Sequence, residues 1–219
     1  RLGGRVMKRS ALVFVFTVFV SGPCCAYKAM PIDTFFPRDG KIWFDDKVTA
    51  ADAATFRTAL PSQYFGFDKR NAYFLHEVIP GAQASSFKAV NDYVAVDDNA
   101  VYLVGPGMGK VTRDPELVGK DLRPINRRLF RYRGKILWMS IREPHNGGLF
   151  QASLSPLEGA KESEFAIIRD KNRQFRDGIA SSLVRSGSKL YLNGKLVADV
   201  DAARFRFLDG TDSYATDEK

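Results

Sequence analysis

Two stretches of the chain, FGFDKRNAYFL (65–75) and VAVDDNAVYLV (94–104), repeat one pattern. When Asp68 is aligned with Asp97, Tyr73 falls on Tyr102, 29 residues further along. In both stretches, alternating apolar residues flank a short polar segment rich in Asp, Asn and Lys, which is typical of a β-hairpin. Asp and Asn favour the turn because their side chains accept hydrogen bonds from nearby backbone N–H groups.

The hairpin pattern recurs elsewhere. Trp43 takes the tyrosine position in RDGKIWF, Trp138 takes it in FRYRGKILWM with Arg133 in the Asp position, and Tyr191 takes it in VRSGSKLYLNGK. Self-similarity with a period of about 30 residues indicates a repeat protein. Because one hairpin cannot bury its apolar face alone, neighbouring hairpins must stack to form a core. We therefore predict an all-β protein of tandem β-hairpins, arranged as a propeller-like ring or an open array.

A second element follows the hairpins. ADAATF (51–56), AQASSF (82–87) and VDAARF (200–205) are Ala-rich and each ends in Phe. These segments predict a single helical turn that presses its Phe onto the hairpin.

The repeat divides the chain unevenly. Residues 27–104 are predicted as N-terminal hairpin repeats, 105–182 as a degenerate, irregular region, and 183–219 as a C-terminal repeat that is apparently truncated. Within the irregular region, 105–124 and 143–165 are dense in Gly, Pro and Ser and predict long loops.

Two further segments carry weaker versions of the pattern. FAIIRDKNRQF (165–175) is interpreted as a degenerate hairpin. YATDEK (214–219) matches the start of a hairpin, because Asp217 follows Phe205 at the same spacing as Asp68 follows Phe56. The sequence does not include the second strand of this hairpin.

The first 26 residues predict a signal peptide. Basic Met7-Lys8-Arg9, the apolar run ALVFVFTVFV (11–20) and the small residues SGPCCA follow in the order of a secretory leader cleaved after Ala26. The apolar run is shorter than the roughly 18 residues of a membrane span, so no transmembrane helix is expected in the mature chain. Residues 1–6 precede a credible initiator Met7 and are interpreted as upstream sequence or a fragment's edge.

Both cysteines, Cys24 and Cys25, lie in this leader. Acylation of either one is an alternative, although Ser21-Gly22-Pro23 is a poor lipoprotein signal. Cleavage after Ala26 leaves a mature chain without cysteine, and therefore without a disulfide or a thiolate site.

The repeated stretches resemble the DKNYY repeat family, whose signature is an Asp-Lys-Asn turn followed by aromatic residues. FGFDKRNAYFL, VAVDDNAVYLV and YATDEK carry the resemblance, which covers residues 41–104 and 183–219. The resemblance implies a bacterial, exported or membrane-associated protein. It implies no catalytic residue, since the family pattern consists of turn residues.

Few residues suit catalysis. His76 lies in the second strand of a hairpin and His145 in the loop EPHNGG, and no G-x-S-x-G motif accompanies Ser140 or Ser153. We expect no catalytic histidine.

Metal and phosphate sites are not expected either, and we predict no cofactor. Asp45-Asp46 and Asp97-Asp98-Asn99 are adjacent acids and favour turn capping over an alternating calcium loop. VGPGMGKVT (104–112) lacks the first Gly and the Ser or Thr of a P-loop, and is interpreted as a connector.

A cluster of basic residues is the candidate binding feature. On a strand, Arg131, Arg133 and Lys135 would project from one face, with Phe130 and Tyr132 opposite. The alternative is a solvated strand face. The candidate anion-binding residues are Arg127, Arg128, Arg131, Arg133 and Lys135.

These observations predict an exported, non-catalytic protein of the bacterial cell envelope, in the periplasm or at the cell surface, with a binding or scaffolding role. Its expected partner is an anionic envelope polymer or another protein; export argues against nucleic acid. The alternative is a cell-wall-acting enzyme that uses an acid of the 105–182 region, such as Glu143 or Asp121.

Overall fold

Short antiparallel strands follow one another along the chain in this computed structural model. The structure describes residues 34–105, 110–142, 151–168, 183–198, 200–207 and 215–216. All of them belong to residues 31–219, the second of two units into which the chain divides. The predicted signal peptide lies outside the described residues.

Six sheets, named A to F, occur within the described ranges, and each is built from strands that are consecutive in sequence. Sheet A contains β1 (Phe35–Arg38), β2 (Lys41–Phe44) and β3 (Lys47–Val48). Sheet B contains β4 (Arg57–Thr58), β5 (Phe65–Phe67), β6 (Ala72–Phe74) and β7 (Glu77–Val78). Sheet C contains β8 (Lys88–Ala89), β9 (Val94–Val96), β10 (Val101–Val104) and β11 (Val111–Asp114).

The later sheets repeat this meander. Sheet D contains β12 (Leu122–Pro124), β13 (Leu129–Tyr132), β14 (Lys135–Arg142) and β15 (Gln151–Pro156). Sheet E contains β16 (Phe165–Ile167), β17 (Leu183–Ser186), β18 (Lys189–Leu192) and β19 (Lys195–Val197). Sheet F contains β20 (Arg206–Phe207) and β21 (Ala215–Thr216). The prediction of an all-β fold built from hairpin repeats is confirmed.

The hydrophobic core lies between successive sheets. Alternate residues of a strand point to opposite faces, so Tyr73 packs with the apolar residues of sheet A while its neighbour Phe74 packs with those of sheet C. Tyr102 occupies the same position one sheet later and packs against sheet B. Sheets B, C and D are therefore buried on both faces.

A single helical turn precedes each of several sheets, as predicted. Residues 53–55 form a turn, and Ala84–Ser86 form a 3-10 helix. The following Phe87 bridges two sheets, with its ring centroid 6.1 Å from Phe65 of sheet B and 6.0 Å from Tyr102 of sheet C. The described helices are single 3-10 turns, and none has the length and apolar character of a membrane span.

The expectation of long loops or insertions over 105–124 and 143–165 is wrong where these segments are described. β11 and β12 lie in the first segment, together with a 3-10 turn at Gly119–Asp121. β15 lies in the second, with another 3-10 turn at Glu162–Glu164. Gly and Pro concentrate at the ends of these short strands, which hid the strands themselves. Of the hairpin expected at 165–175, β16 is described, and residues 169–182 lie outside the described residues.

The alignment of Trp138 with the tyrosines is also wrong. Arg133 and Gly134 both have positive φ, 46° and 78°, and form a two-residue turn that pairs Tyr132 with Lys135. Tyr132 therefore takes the Asp position and Leu137 the tyrosine position. Trp138 points to the other face and packs with Tyr191 of sheet E.

The start of a further hairpin at the C-terminal end is confirmed in its backbone. Arg206 pairs with Thr216 and Phe207 with Ala215, which is the register of β4 and β5 in sheet B. Asp217 lies outside the described residues.

Candidate functional site

The recurrent aspartates are turn caps with saturated carboxylates. Oδ1 of Asp68 accepts hydrogen bonds from the backbone N–H groups of Arg70 at 2.7 Å and Asn71 at 2.8 Å. Oδ2 accepts one from the N–H of Asp52 at 2.9 Å and one from the hydroxyl of Tyr73 at 2.8 Å. Four donors thus fill the lone pairs of one carboxylate.

Asp97 repeats this arrangement. Its Oδ1 accepts from the N–H groups of Asn99 and Ala100, both at 2.8 Å. Its Oδ2 accepts from the N–H of Gln83 at 2.7 Å and the hydroxyl of Tyr102 at 2.8 Å. The predicted capping role is confirmed for Asp68 and Asp97, and each of them also anchors the segment that enters its sheet.

Hydrogen bonding and burial set the pKa values of these groups. Burial alone would raise the pKa of Asp68, but the N–H donors of Asp52, Asn71 and Arg70 and the Tyr73 hydroxyl outweigh it, so the pKa is lowered. The pKa of Asp97 is lowered by the same balance of burial and donors. Burial raises the pKa of Tyr73 to about 12, and the carboxylate of Asp68 contributes.

In sheets D and E, other side chains accept the backbone N–H of the segment that enters the sheet. The hydroxyl of Tyr132 accepts the N–H of Val118 at 3.2 Å and donates to the carbonyl of Glu116 at 3.2 Å. Oγ of Ser186 accepts the N–H of Lys161 at 2.8 Å. The repeat thus preserves an acceptor for one backbone N–H, whereas the residue that supplies it changes.

A second recurrent turn was missed by the sequence analysis. Oδ1 of Asn91 accepts the N–H groups of Tyr93 and Val94, at 2.8 and 2.9 Å, in the loop between β8 and β9. Asn126 accepts those of Arg128 and Leu129, also at 2.8 and 2.9 Å, between β12 and β13. The spacing of an Asn three residues before a buried strand residue, in NDYV and NRRL, was the available signal.

The candidate anion-binding residues fall into two groups. Arg131 lies on β13 and pairs with Glu162 at 3.3 Å. Arg133 pairs with Asp121 at 2.7 Å and lies over the ring of Tyr132, 5.3 Å from its centroid. Because Arg133 belongs to the turn, the strand alternation expected for it does not apply.

The remaining three candidates lie elsewhere. Lys135 begins β14 and lines a groove with Arg133, Asp114 and Glu116, where acids and bases are mixed. Arg127 and Arg128 lie in the β12–β13 loop and line a separate groove with Tyr93. Neither of these two arginines has a carboxylate within ion-pair distance in the described part of the chain.

The residues considered for catalysis do not converge where they are described. His76, which was expected in a strand, lies in the β6–β7 turn and pairs with Glu77, the first residue of β7, at 3.1 Å. Ser140 and Ser153 are cross-strand partners on β14 and β15. Asp121 is paired with Arg133; Glu143 and His145 lie outside the described residues. Across the described ranges, no three His, Cys, Asp or Glu side chains group as metal ligands.

Comparison with known protein families assigns the chain to a family. The model of the DKNYY family matches residues 35–219. The chain belongs to the DKNYY family. In this DKNYY protein the match extends through sheets D and E, where the family's Asp is replaced by Tyr132 and Ser186 in the structure. No curated protein and no solved structure gives a significant match.

Proposed function

We propose that this DKNYY protein is an exported, non-catalytic binding or scaffolding protein of the bacterial cell envelope. The observation that carries the proposal is the occupancy of the recurrent Asp side chains. Asp68 and Asp97 each accept four hydrogen bonds from the chain itself. A carboxylate whose lone pairs are filled by structural donors has none left to attack a substrate or to remove a proton.

Repetition of that arrangement supports a scaffold. The same bonds recur in sheets B and C and connect the turn to the segment that enters the sheet. Successive sheets built in this way present their loops at regular intervals, and repeat proteins bind partners through such surfaces. The repeat is therefore suited to displaying a surface.

The N-terminal sequence supports export. A basic segment, an apolar run and small residues precede Tyr27 in the order of a secretory leader. A mature chain without cysteine relies on its core, and the buried apolar side chains between the sheets supply one.

Export is tested by expressing the full chain in a bacterium and sequencing the recovered protein by mass spectrometry. We expect the protein in the periplasmic or secreted fraction, beginning at Tyr27. Recovery from the cytoplasm with residues 7–26 attached would contradict export.

Binding is tested with the recovered exported protein. Immobilised protein is incubated with a detergent extract of cell envelopes, and the retained polymer and protein are analysed. We expect retention of an envelope component that is lost when the protein is first unfolded in urea. Equal retention by folded and unfolded protein would remove the binding role.

A further inference from the structure

A groove of about 300 Å³ lies where the first loops of three successive sheets meet. The β4–β5 loop of sheet B contributes Pro61, the β8–β9 loop of sheet C contributes Tyr93, and the β12–β13 loop of sheet D contributes Arg127 and Arg128. The groove is thus assembled from corresponding loops of the repeat, and only stacking of the sheets creates it.

Hydrogen bonds join the loop that carries Tyr93 to the loop that carries Arg127 and Arg128. Asn91 caps its own turn through Oδ1, while its Nδ2 donates to the carbonyl of Arg127 at 3.1 Å. Asn126 caps the turn that carries both arginines. The backbone positions of the two arginines and of Tyr93 are therefore set before any ligand arrives, which lowers the entropic cost of binding.

The two guanidinium groups have unused donor capacity. Arg128 is half-buried, and its Nη1 donates to the carbonyl of Met139 at 3.4 Å; a guanidinium has five N–H donors. Arg127 is exposed. Arg131 and Arg133, by contrast, are already neutralised by Glu162 and Asp121. A planar fork of donors recognises carboxylate or phosphate oxygens in pairs.

Apart from Asn91 and Asp92, the rest of the groove is apolar and aromatic. Val90, Met139 and Ile141 contribute apolar lining beside the half-buried Tyr93. Burial raises the pKa of Tyr93, and the nearby charge of Asp92 adds to this, whereas Arg128 and Arg127 act against it. Both arginines line the groove together with this tyrosine. An aromatic ring with a polar tip suits a ligand that has one apolar and one hydroxylated face.

We propose that this groove binds an acidic sugar residue, in which a carboxylate or phosphate is carried on a pyranose ring, within an anionic polysaccharide. Arg127 and Arg128 bind the acidic group, and Tyr93 packs on the ring. Two arginines with no described carboxylate within ion-pair distance suit one acidic group, whereas a nucleic-acid backbone needs many phosphate contacts. The inference rests on the proposed binding function and names its ligand class and its site.

The test uses the mature protein and defined probes in isothermal titration calorimetry. The probes are a galacturonic acid trisaccharide for carboxylate, mannose 6-phosphate for phosphate, neutral maltotriose, and a tetraglutamate peptide. We expect one or both acidic sugars to bind, and maltotriose and the peptide to bind at least tenfold more weakly. Tighter binding of the peptide, or equal binding of maltotriose, would overturn the acidic-sugar assignment.

Two double variants with the same change in charge locate the site. R127Q/R128Q should weaken binding of the acidic sugar at least tenfold, because each charge-assisted hydrogen bond typically contributes about tenfold. R131Q/R133Q should leave binding within about twofold, since those arginines pair with carboxylates. Equal losses in the two variants would mean general electrostatic attraction, and would overturn the site.

A third variant separates binding from folding. Asp92 is exposed and lines the same groove, so Asp92→Asn should strengthen binding of the acidic sugar by removing a like charge. A folding defect cannot tighten binding. Unchanged or weaker binding by a correctly folded D92N would contradict the proposed position of the acidic group.

The two proposals fail in different ways. If envelope material is retained equally by the native protein and by R127Q/R128Q, the groove is wrong while the binding function stands. If the native protein retains nothing from the extract, the binding function itself fails.

Discussion

Asp97 and its neighbour Asp98 show how one carboxylate becomes structural while the next remains solvated. Asp97 is buried and receives four hydrogen bonds, whereas the side chain of Asp98 is exposed. The difference follows from the turn, which directs the first residue's side chain inwards over the backbone N–H groups that it caps. A buried acceptor that satisfies several donors costs more to remove than the net contribution of any single bond.

Replacing Asp97 by Ala should lower the free energy of unfolding by about 3 kcal/mol, because several buried donors lose their acceptor. Replacing Asp98 by Ala should change it by less than about 0.5 kcal/mol, as is usual at an exposed site. Urea unfolding of both variants measures the difference. Comparable effects of the two substitutions would show that the hydrogen bonds to Asp97 do not stabilise the turn.

The tyrosine partners predict an alkaline loss of stability. The pKa of Tyr73 is raised from 10.0 to about 12, and burial also raises that of Tyr102. A pKa that is higher in the folded state gives stability that is complete below pH 10 and lost as the pH rises through about 12. The double variant Y73F/Y102F should therefore lose less stability over this interval than the native protein. Parallel pH profiles of the unfolding free energy would contradict this.

The aspartates act at the opposite end of the pH range. The pKa values of Asp68 and Asp97 are lowered from 3.8 in the folded state, where burial opposes and hydrogen bonds favour the charged form. Their contribution is therefore present above pH 3.8 and is lost as the pH falls below it.

At the scale of the element, two hairpins with the same turn conformation differ in the side chains that pack against the turn. Gly134 and Gly194 have φ of +78° and +79°. A Cβ at Gly134 would meet nothing within 4 Å, whereas one at Gly194 would overlap the ring of Trp138 from the preceding sheet. Gly134 is therefore needed for its backbone conformation alone, whereas Gly194 is needed both for its backbone conformation and for the space that Trp138 occupies.

Substitution of these glycines by Ala separates the two requirements. Gly134→Ala should cost about 1–2 kcal/mol of unfolding free energy, from the left-handed conformation alone. Gly194→Ala should cost about 1–3 kcal/mol more, because Trp138 must move. Thermal unfolding, with the near-ultraviolet circular dichroism of the tryptophan, measures both. Equal losses and an unchanged tryptophan signal would remove the packing argument.

At the scale of the whole repeat, aromatic side chains between the sheets connect sheet A to sheet B and sheet B to sheet C. Phe56 lies 4.9 Å from Phe35 of sheet A and 6.1 Å from Tyr73 of sheet B, measured between ring centroids. Phe87 makes the corresponding contacts one unit later. Stability in such an array is a sum of units and nearest-neighbour contacts.

Phe87→Ala should therefore lower the unfolding free energy by about 3–5 kcal/mol, the usual cost of deleting a buried Phe. Hydrogen exchange should accelerate in sheets B and C, which Phe87 joins, before it changes in sheet E. Leu60→Ala is the control, since Leu60 is 79% exposed and its loss should leave exchange unchanged. Uniform acceleration in all described sheets would show a single cooperative unit without nearest-neighbour behaviour.

The sequence alone was enough to predict the repeat, the all-β class, the capped turns at Asp68 and Asp97, and the helical turns within 51–56, 82–87 and 200–205. These features depend on local chemistry, since an Asp caps N–H groups two or three residues away and a strand alternates every second residue. Local reasoning was wrong where one turn differed: at Arg133-Gly134 the aligned residues shift by one, and that shift turns Trp138 to the opposite face.

Only the tertiary structure decided which residues meet between sheets. Arg131 and Arg133 find Glu162 and Asp121, whereas Arg127 and Arg128 remain without a described carboxylate partner beside Tyr93. The five candidate basic residues cannot be told apart from the sequence, because the sequence gives only their charge and their spacing within one segment. Whether a cation is neutralised depends on a residue from another segment, and stacking of the sheets determines which residue that is.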